Sequence, residues 1–97
     1  MLAHVIRTFA DRETERIWQE ESSRRLPAEI QQRALNRLVL LNRARRLSDL
    51  RVPPGNRLKA LRGTRIGQHA IRINDQWRIC FRWEFADAWD VEICDYH

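Results

Sequence analysis

The last three residues of the sequence, Asp95-Tyr96-His97, combine side chains that can carry out acid–base chemistry. Imidazole titrates near neutral pH, so His97 can give or take a proton under physiological conditions. The α-carboxylate beside its ring is expected to favour the protonated imidazolium. With a phenol and a carboxylate directly before this histidine, the terminus is a candidate site of proton transfer.

The residues before this terminus alternate between apolar and polar from Ala70 to Trp83 and again from Trp89 onward. This period of two predicts strands with one buried and one open face. Reversals at Asn74-Asp75 and at residues 84–88 divide them into a three-stranded antiparallel meander. The predicted core side comprises Ile71, Ile73, Trp77, Ile79, Phe81, Trp83, Trp89, Val91 and Ile93. The predicted open side comprises Arg72, Arg78, Cys80, Arg82, Asp90, Glu92, Cys94 and Tyr96.

Length and charge indicate the size and the kind of partner. The chain has 97 residues, which predicts a single domain over 1–97. Its formal net charge is +5, and Lys59 is its only lysine. Guanidinium groups bind phosphate through two parallel hydrogen bonds, so this arginine bias is typical of a nucleic-acid partner. A solvated basic surface is the alternative interpretation of the same charge.

Cysteine and targeting patterns point to no cofactor, metal or membrane partner. Cys80 and Cys94 are the only cysteines, and no Cys/His spacing suits zinc. Both fall on the predicted open face, where they are expected to remain free thiols. Residues 1–10 are interrupted by His4 and Arg7, which is not typical of a signal peptide or membrane span. We therefore expect a cytoplasmic location.

The first two thirds of the sequence predict the helices that cover the core side of the meander. Residues 5–9 are predicted to form a strand, and Asp11 can cap a helix that follows it. A second helix is predicted from Pro27 to about Arg46, because apolar residues recur at helical spacing. Residues 57–61 resemble a strand, and residues 62–67 a basic loop flanked by glycines. The predicted fold is α+β: two N-terminal helices packed on one face of a mostly antiparallel sheet, in the order β-α-α-β-β-β-β.

Several stretches together resemble one protein family. They are Arg51-Val52-Pro53-Pro54-Gly55-Asn56-Arg57-Leu58, Leu61-Arg62-Gly63, the segment Ile71 to Phe81 with Asn74-Asp75-Gln76-Trp77-Arg78, and the terminal Asp95-Tyr96-His97. In combination they resemble HigB-type toxins of bacterial toxin-antitoxin pairs, within the RelE/ParE superfamily. The resemblance implies a ribosome-dependent endoribonuclease that cuts mRNA in the decoding site. It also implies a helix-turn-helix antitoxin, through which alone the toxin would reach operator DNA.

The resemblance also implies a set of site residues. His97 would protonate the leaving 5′-oxygen, Tyr96 would stack on a base or act in proton transfer, and Arg78 would clamp the scissile phosphate. Lys59 and Arg62 would approach from the side, and Asp95 is carried over from the family although strand parity places it toward the core. Some family members have histidine and lysine at the positions of Lys59 and Arg62, which leaves more of the chemistry to His97 and Tyr96. The candidate RNA-binding residues are Arg57, Arg65, Arg72 and Arg82.

The sequence is also compatible with two alternatives to a nuclease. ParE-type members of the same superfamily inhibit DNA gyrase without cutting RNA. A ribosome or RNA binder without catalytic activity would use the same arginines for phosphate and leave the terminus inert. Arg82 and Arg78 could also pair across strands with Asp90 and Glu92, in a purely structural role.

Overall fold

The computed structural model describes residues 5–95 of the chain. Within them, two α-helices precede a four-stranded sheet. The helices are α1 (Arg12–Trp18) and α2 (Ala28–Arg43), and the strands are β1 (Lys59–Ala60), β2 (Gln68–Arg72), β3 (Trp77–Glu84) and β4 (Asp87–Asp95). The sheet has the order β1-β2-β3-β4 with antiparallel neighbours throughout. The predicted α+β architecture is confirmed.

Both helices form for the reasons that the sequence gives. The carboxylate of Asp11 accepts the N–H of Thr14 at 3.4 Å and so caps α1. Helix α2 begins after Pro27 and turns one apolar side to the sheet. It ends at Arg43, earlier than the predicted Arg46, because the chain is already extended at Ala44. The fully buried residues on this side of α2 are Ile30, Ala34, Leu38 and Leu41.

The core lies between these helices and one face of the sheet. Its sheet residues include Ile71, Ile73, Ile79, Phe81, Val91 and Ile93, as the alternating pattern predicts. Trp18, Trp77 and Trp83 pack against this core while remaining partly exposed. Because the helices pack on the face that carries these side chains, they do not cover the other face of the sheet.

Residues 5–9 do not form the regular strand that the sequence predicts. They run parallel to β4 and make only two isolated bridges, between Ile6 and Ala88 and between Phe9 and Val91. The side chain of Asn42 in α2 accepts the backbone N–H groups of Val5 and Ile6, at 3.0 and 3.1 Å. The Asn42 side chain therefore accepts two backbone hydrogen bonds that a regular strand would donate to its neighbour in the sheet.

A bulge in β4 places Trp89 on the opposite face from the one predicted. Arg82 pairs with Trp89, whereas Cys80 pairs with Glu92, so β4 contains one residue more than β3 between these pairs. Asp90 lies in this interval and has a φ of 53°, in the left-handed region. The additional residue reverses the alternation, and Trp89 shares the face of Arg82 instead of joining the core.

No helix within residues 5–95 is both long and apolar enough to cross a membrane.

Candidate active site

The candidate site lies on the face of the sheet that α1 and α2 leave uncovered, which we call the open face. Cross-strand pairing assigns its residues. Lys59 pairs with Ala70 and Ala70 with Cys80, while Arg78 lies between Arg72 on β2 and Cys94 on β4. Because directly opposed residues in an antiparallel sheet share a face, these side chains lie on one surface. The arginine-rich open face predicted from the alternating pattern is therefore present.

A cleft of about 720 Å³ lies on this face, between the loop that follows β1 and the end of β4. The thiols of Cys80 and Cys94 contribute to its lining, and basic side chains of the loop form much of the rest. The lining residues are Lys59, Ala60, Leu61, Arg62, Thr64, Arg65, Cys80, Cys94 and Asp95. This cleft brings together residues that are up to 36 positions apart in the sequence.

The loop is held over the sheet by defined contacts. The backbone N–H of Leu61 donates to the carbonyl of Gln68 at 2.8 Å, and a short 3-10 turn follows at Gly63–Arg65. The guanidinium of Arg65 donates to the side chain of Gln68 at 3.0 Å and to Glu92 of β4 at 3.2 Å. Leu61 also packs against Ala70, Cys80 and Cys94. These contacts fix one wall of the cleft.

The charge of Arg65 is maintained by its carboxylate partner. Burial alone would lower the pKa of Arg65, but the hydrogen bond and negative charge of Glu92 outweigh that effect and raise it. The guanidinium therefore stays protonated at the edge of the cleft. Since Glu92 also neutralises this charge, the attraction of Arg65 for an anion is reduced.

Three of the six predicted catalytic residues line the cleft, namely Lys59, Arg62 and Asp95. Arg78 is half-buried on the same face. The other two, Tyr96 and His97, lie outside the described residues. The loop and the end of β4 therefore bring together residues that the sequence places far apart.

Strand parity predicted that Asp95 would turn toward the core, but the structure leaves it exposed. It pairs with Trp77 at the end of the sheet but is exposed, and its carboxylate accepts a hydrogen bond from the amide of Gln76 at 3.0 Å. The strand ends here, so no neighbouring layer covers the side chain. At this end of β4, Asp95 is also one of the residues that line the cleft.

The four predicted RNA-binding arginines have different surroundings. Arg65 lines the cleft, whereas Arg72 binds the carboxylate of Asp75. Arg82 binds Asp90 at 2.8 Å and Glu84 at 3.1 Å, which confirms the predicted cross-strand pair with Asp90. Arg57 is exposed and adopts a left-handed backbone conformation, but it does not line the cleft. The structure thus brings only one of these four arginines to the cleft.

The sequence interpretation assigned no function to the two thiols of the cleft. Cys80 and Cys94 are both free, and only 2% and 7% of their surfaces are exposed. The thiol of Cys94 donates to the backbone carbonyl of Glu92 at 3.6 Å. Contact with Cys94 lowers the pKa of Cys80, with help from Arg65 and Arg78, whereas contact with Cys80 and burial raise the pKa of Cys94. The alternating pattern had placed both cysteines on the open face, but it gave no sign that a loop would enclose them.

A small α+β protein with a basic cleft on the uncovered face of its sheet is suited to bind an anionic partner. Comparison with known proteins identifies the family. Residues 7–97 match the family described as the RelE-like toxin of type II toxin-antitoxin system HigB. The chain is also 38% identical over 76 residues to Toxin HigB-1 of Vibrio cholerae serotype O1, across 77% of this chain and 80% of that protein.

The chain therefore belongs to the HigB-like toxin family of type II toxin-antitoxin systems. Membership implies a cognate antitoxin as its partner. It also confirms the family resemblance drawn from the motifs at residues 51–58, 61–63 and 71–81.

Proposed function

We propose that this toxin is a ribosome-dependent endoribonuclease that cleaves mRNA in the decoding site. The observation that carries the proposal is the cleft on the open face, where Lys59, Arg62 and Arg65 meet Asp95. Tyr96 and His97 follow Asp95 directly in the sequence, and successive Cα atoms are only about 3.8 Å apart. The proton-transfer groups at the terminus are thus covalently tied to the edge of a basic cleft.

Arg62 is the proposed main phosphate ligand from the loop. Its side chain is exposed and forms no ion pair with another residue among 5–95, whereas Arg65 already binds Glu92. Arg78, half-buried on the cleft face, is the proposed clamp on the scissile phosphate. Two guanidinium groups placed on different sides could hold the charge that develops on the phosphorane. Arg72 and Arg82 already bind carboxylates, so we propose that they contribute less to RNA binding.

The proposed reaction is attack of an RNA 2′-hydroxyl on its adjacent phosphate, without a metal ion. A base removes the 2′-hydroxyl proton, and His97 as imidazolium protonates the departing 5′-oxygen. The products are a 2′,3′-cyclic phosphate and a 5′-hydroxyl. Tyr96 is proposed to stack on a base or to assist proton transfer, and Lys59 and Asp95 to orient the reacting groups. Because this small site offers few acid–base groups, the ribosome is proposed to supply the orientation of the mRNA.

Arg62→Ala in a programmed-ribosome cleavage assay tests the cleft. We expect the single-turnover rate to fall by about a hundredfold, as when one preorganised charge-stabilising group is removed. Arg33→Ala is the matched control, because Arg33 is an exposed arginine of α2 and should leave the rate unchanged. Equal loss in both variants, or no loss in Arg62→Ala, would contradict the assignment of catalysis to this cleft.

Removing His97 tests the nuclease against its alternatives. The truncated protein should still bind ribosomes but should produce no cyclic-phosphate ends, whereas His4→Ala should cleave like the unchanged chain. Unaltered products without His97 would refute its role as the acid. A parallel gyrase supercoiling assay should show no inhibition by the unchanged chain; inhibition without mRNA cleavage would instead support a ParE-type activity.

A further inference from the structure

The thiols of Cys80 and Cys94 form a pair in the lining of the cleft. The two residues lie on adjacent antiparallel strands, and Cys80 is directly opposite Glu92, so Cys94 is its diagonal neighbour. Their side chains pack in one buried cluster with Ala70. Leu61 packs against them, and both cysteines belong to the lining of the cleft. Such a pair has no assigned part in the proposed cleavage reaction.

The surroundings of the pair distinguish the two sulfur atoms. Contact with Cys94 and the positive charges of Arg65 and Arg78 favour the thiolate of Cys80, although burial and Glu92 oppose this effect. The thiol of Cys94 donates to the backbone carbonyl of Glu92 at 3.6 Å, which keeps its proton in place. This division resembles the division of roles in a reactive dithiol, in which one thiolate attacks and the second thiol resolves the product.

We propose that Cys80 and Cys94 form a modification site, at which a hydroperoxide oxidises the pair to an intramolecular disulfide. In the first step the sulfur of Cys80 attacks a peroxide oxygen, so that an S–O bond forms and the O–O bond breaks. The leaving oxygen takes the thiol proton of Cys80 and departs as water or alcohol. In the second step the sulfur of Cys94 attacks the sulfenic acid, an S–S bond forms, and the hydroxyl leaves as water with the proton of Cys94. Two thiols are oxidised and one peroxide is reduced.

Disulfide formation requires the two strands to approach each other. Diagonal neighbours in an antiparallel pair are about 7–8 Å apart, slightly more than disulfide geometry accepts. The sheet can adjust at both residues. The register shift between β3 and β4 begins immediately after Cys80, and Cys94 is next to Asp95, the last residue of β4. A bond made with such adjustment is expected to be readily reduced by thiols.

The site can be tested on the reduced full-length protein with hydrogen peroxide as the oxidant. After treatment, free thiols are blocked with N-ethylmaleimide and the intact mass is measured. We expect the loss of two hydrogens with no maleimide added, and recovery of both maleimide sites after dithiothreitol. Two maleimide adducts after peroxide, a covalent dimer, or stable sulfinic acid in place of the disulfide would each overturn the proposal.

Single-cysteine variants test the division of roles. Cys94→Ser should leave Cys80 to form a sulfenic acid that dimedone traps, and Cys80→Ser should react with peroxide about tenfold more slowly than Cys94→Ser. Equal rates would contradict a specific attacking thiol. Should either variant fail to fold, peptide mapping of the oxidised unchanged chain decides instead, because a cross-linked peptide joining Cys80 to Cys94 is required.

A consequence for activity rests on the proposed function. Arg78 pairs with Cys94, so movement of Cys94 toward Cys80 would displace the proposed phosphate clamp. Oxidised protein should therefore lose mRNA cleavage about tenfold or more and regain it with dithiothreitol, while Cys80→Ser/Cys94→Ser stays active under peroxide. Cleavage that is equal in the oxidised and reduced forms would remove this consequence. The disulfide is detected by mass and does not depend on mRNA cleavage. A protein that forms the disulfide but does not cleave mRNA would refute only the nuclease, and one that cleaves mRNA but forms no disulfide would refute only the thiol site.

Discussion

Arg65 and Glu92 join the loop after β1 to the last strand of the sheet, with both terminal nitrogens of the arginine 3.2 Å from one carboxylate oxygen. The two residues are 27 positions apart in the sequence. About a third of each side chain remains exposed, so solvent weakens the attraction. The pair positions the basic wall of the cleft, although its contribution to stability is small.

A double-mutant cycle on Arg65→Gln and Glu92→Gln should give a coupling energy of about 0.5 kcal/mol. Urea unfolding of the four proteins provides the measurement. The matched control is Arg16 with Glu21, which are 3.4 Å apart and more exposed, and their coupling should be close to zero. A coupling for the control as large as that for the cleft pair would show that Arg65 and Glu92 do not hold the loop.

The helices and most of the sheet could be predicted because local patterns decide them. Helical spacing of apolar residues identifies α2, a carboxylate before a polar turn identifies the start of α1, and alternation identifies the three longer strands. Burial on one face then determines which sheet surface the helices cover. Ile71 and Phe81 are both fully buried on that face, as the alternation predicts.

The errors come from features that depend on distant contacts or unusual backbone. Trp89 was assigned to the core because the alternating pattern assumes a strand without a bulge. An aspartate at residue 90 does not indicate a bulge, as a glycine would. The cleft itself could not be predicted, because it depends on the position of Arg65 over Glu92. The nearest signal was the pattern that placed Cys80 and Cys94 on the open face.

Thr14 connects α1 to the sheet through a buried hydrogen bond. Its hydroxyl oxygen accepts the N–H of Ile93 at 2.8 Å and the hydroxyl donates to Asp11. Thr14→Val keeps the shape but leaves the buried N–H without its acceptor, so the free energy of unfolding should fall by about 1–3 kcal/mol. Thr14→Ser retains the hydroxyl and should cost less, about 0.8 kcal/mol for the lost methyl group. Denaturant unfolding of both variants checks the order; a serine variant less stable than the valine variant would contradict it.

The turn between β3 and β4 offers a stabilising substitution. Phe85 and Ala86 have φ values of 55° and 61°, and residues with a Cβ atom are strained in this region. Ala86→Gly should therefore raise the free energy of unfolding by roughly 0.5–1 kcal/mol, after the entropy of glycine is subtracted. Ala28→Gly, at the exposed first residue of α2, is the control and should lower stability slightly. The same sign of change in both variants would refute the strain at residue 86.

His69 gives the folded protein a dependence on pH. Its ring stacks on Phe81 with 6.3 Å between centroids, and burial lowers its pKa. An unfolded histidine has a pKa of about 6.5, and the pKa of His69 in the folded protein is lower. In the pH window between these two pKa values, the unfolded chain binds more protons than the folded one. This contribution to stability is therefore constant above the window and is lost as the pH falls through it.

The measurement is the free energy of unfolding of the unchanged chain and of His69→Gln between pH 5 and 8. As the pH falls below about 6.5, the unchanged chain should lose free energy of unfolding relative to His69→Gln. Above about pH 7 the difference in free energy of unfolding between the two proteins should be constant. A difference that instead favours the unchanged chain on acidification would mean that the folded protein stabilises the imidazolium of His69, because that is the sign produced by a raised pKa.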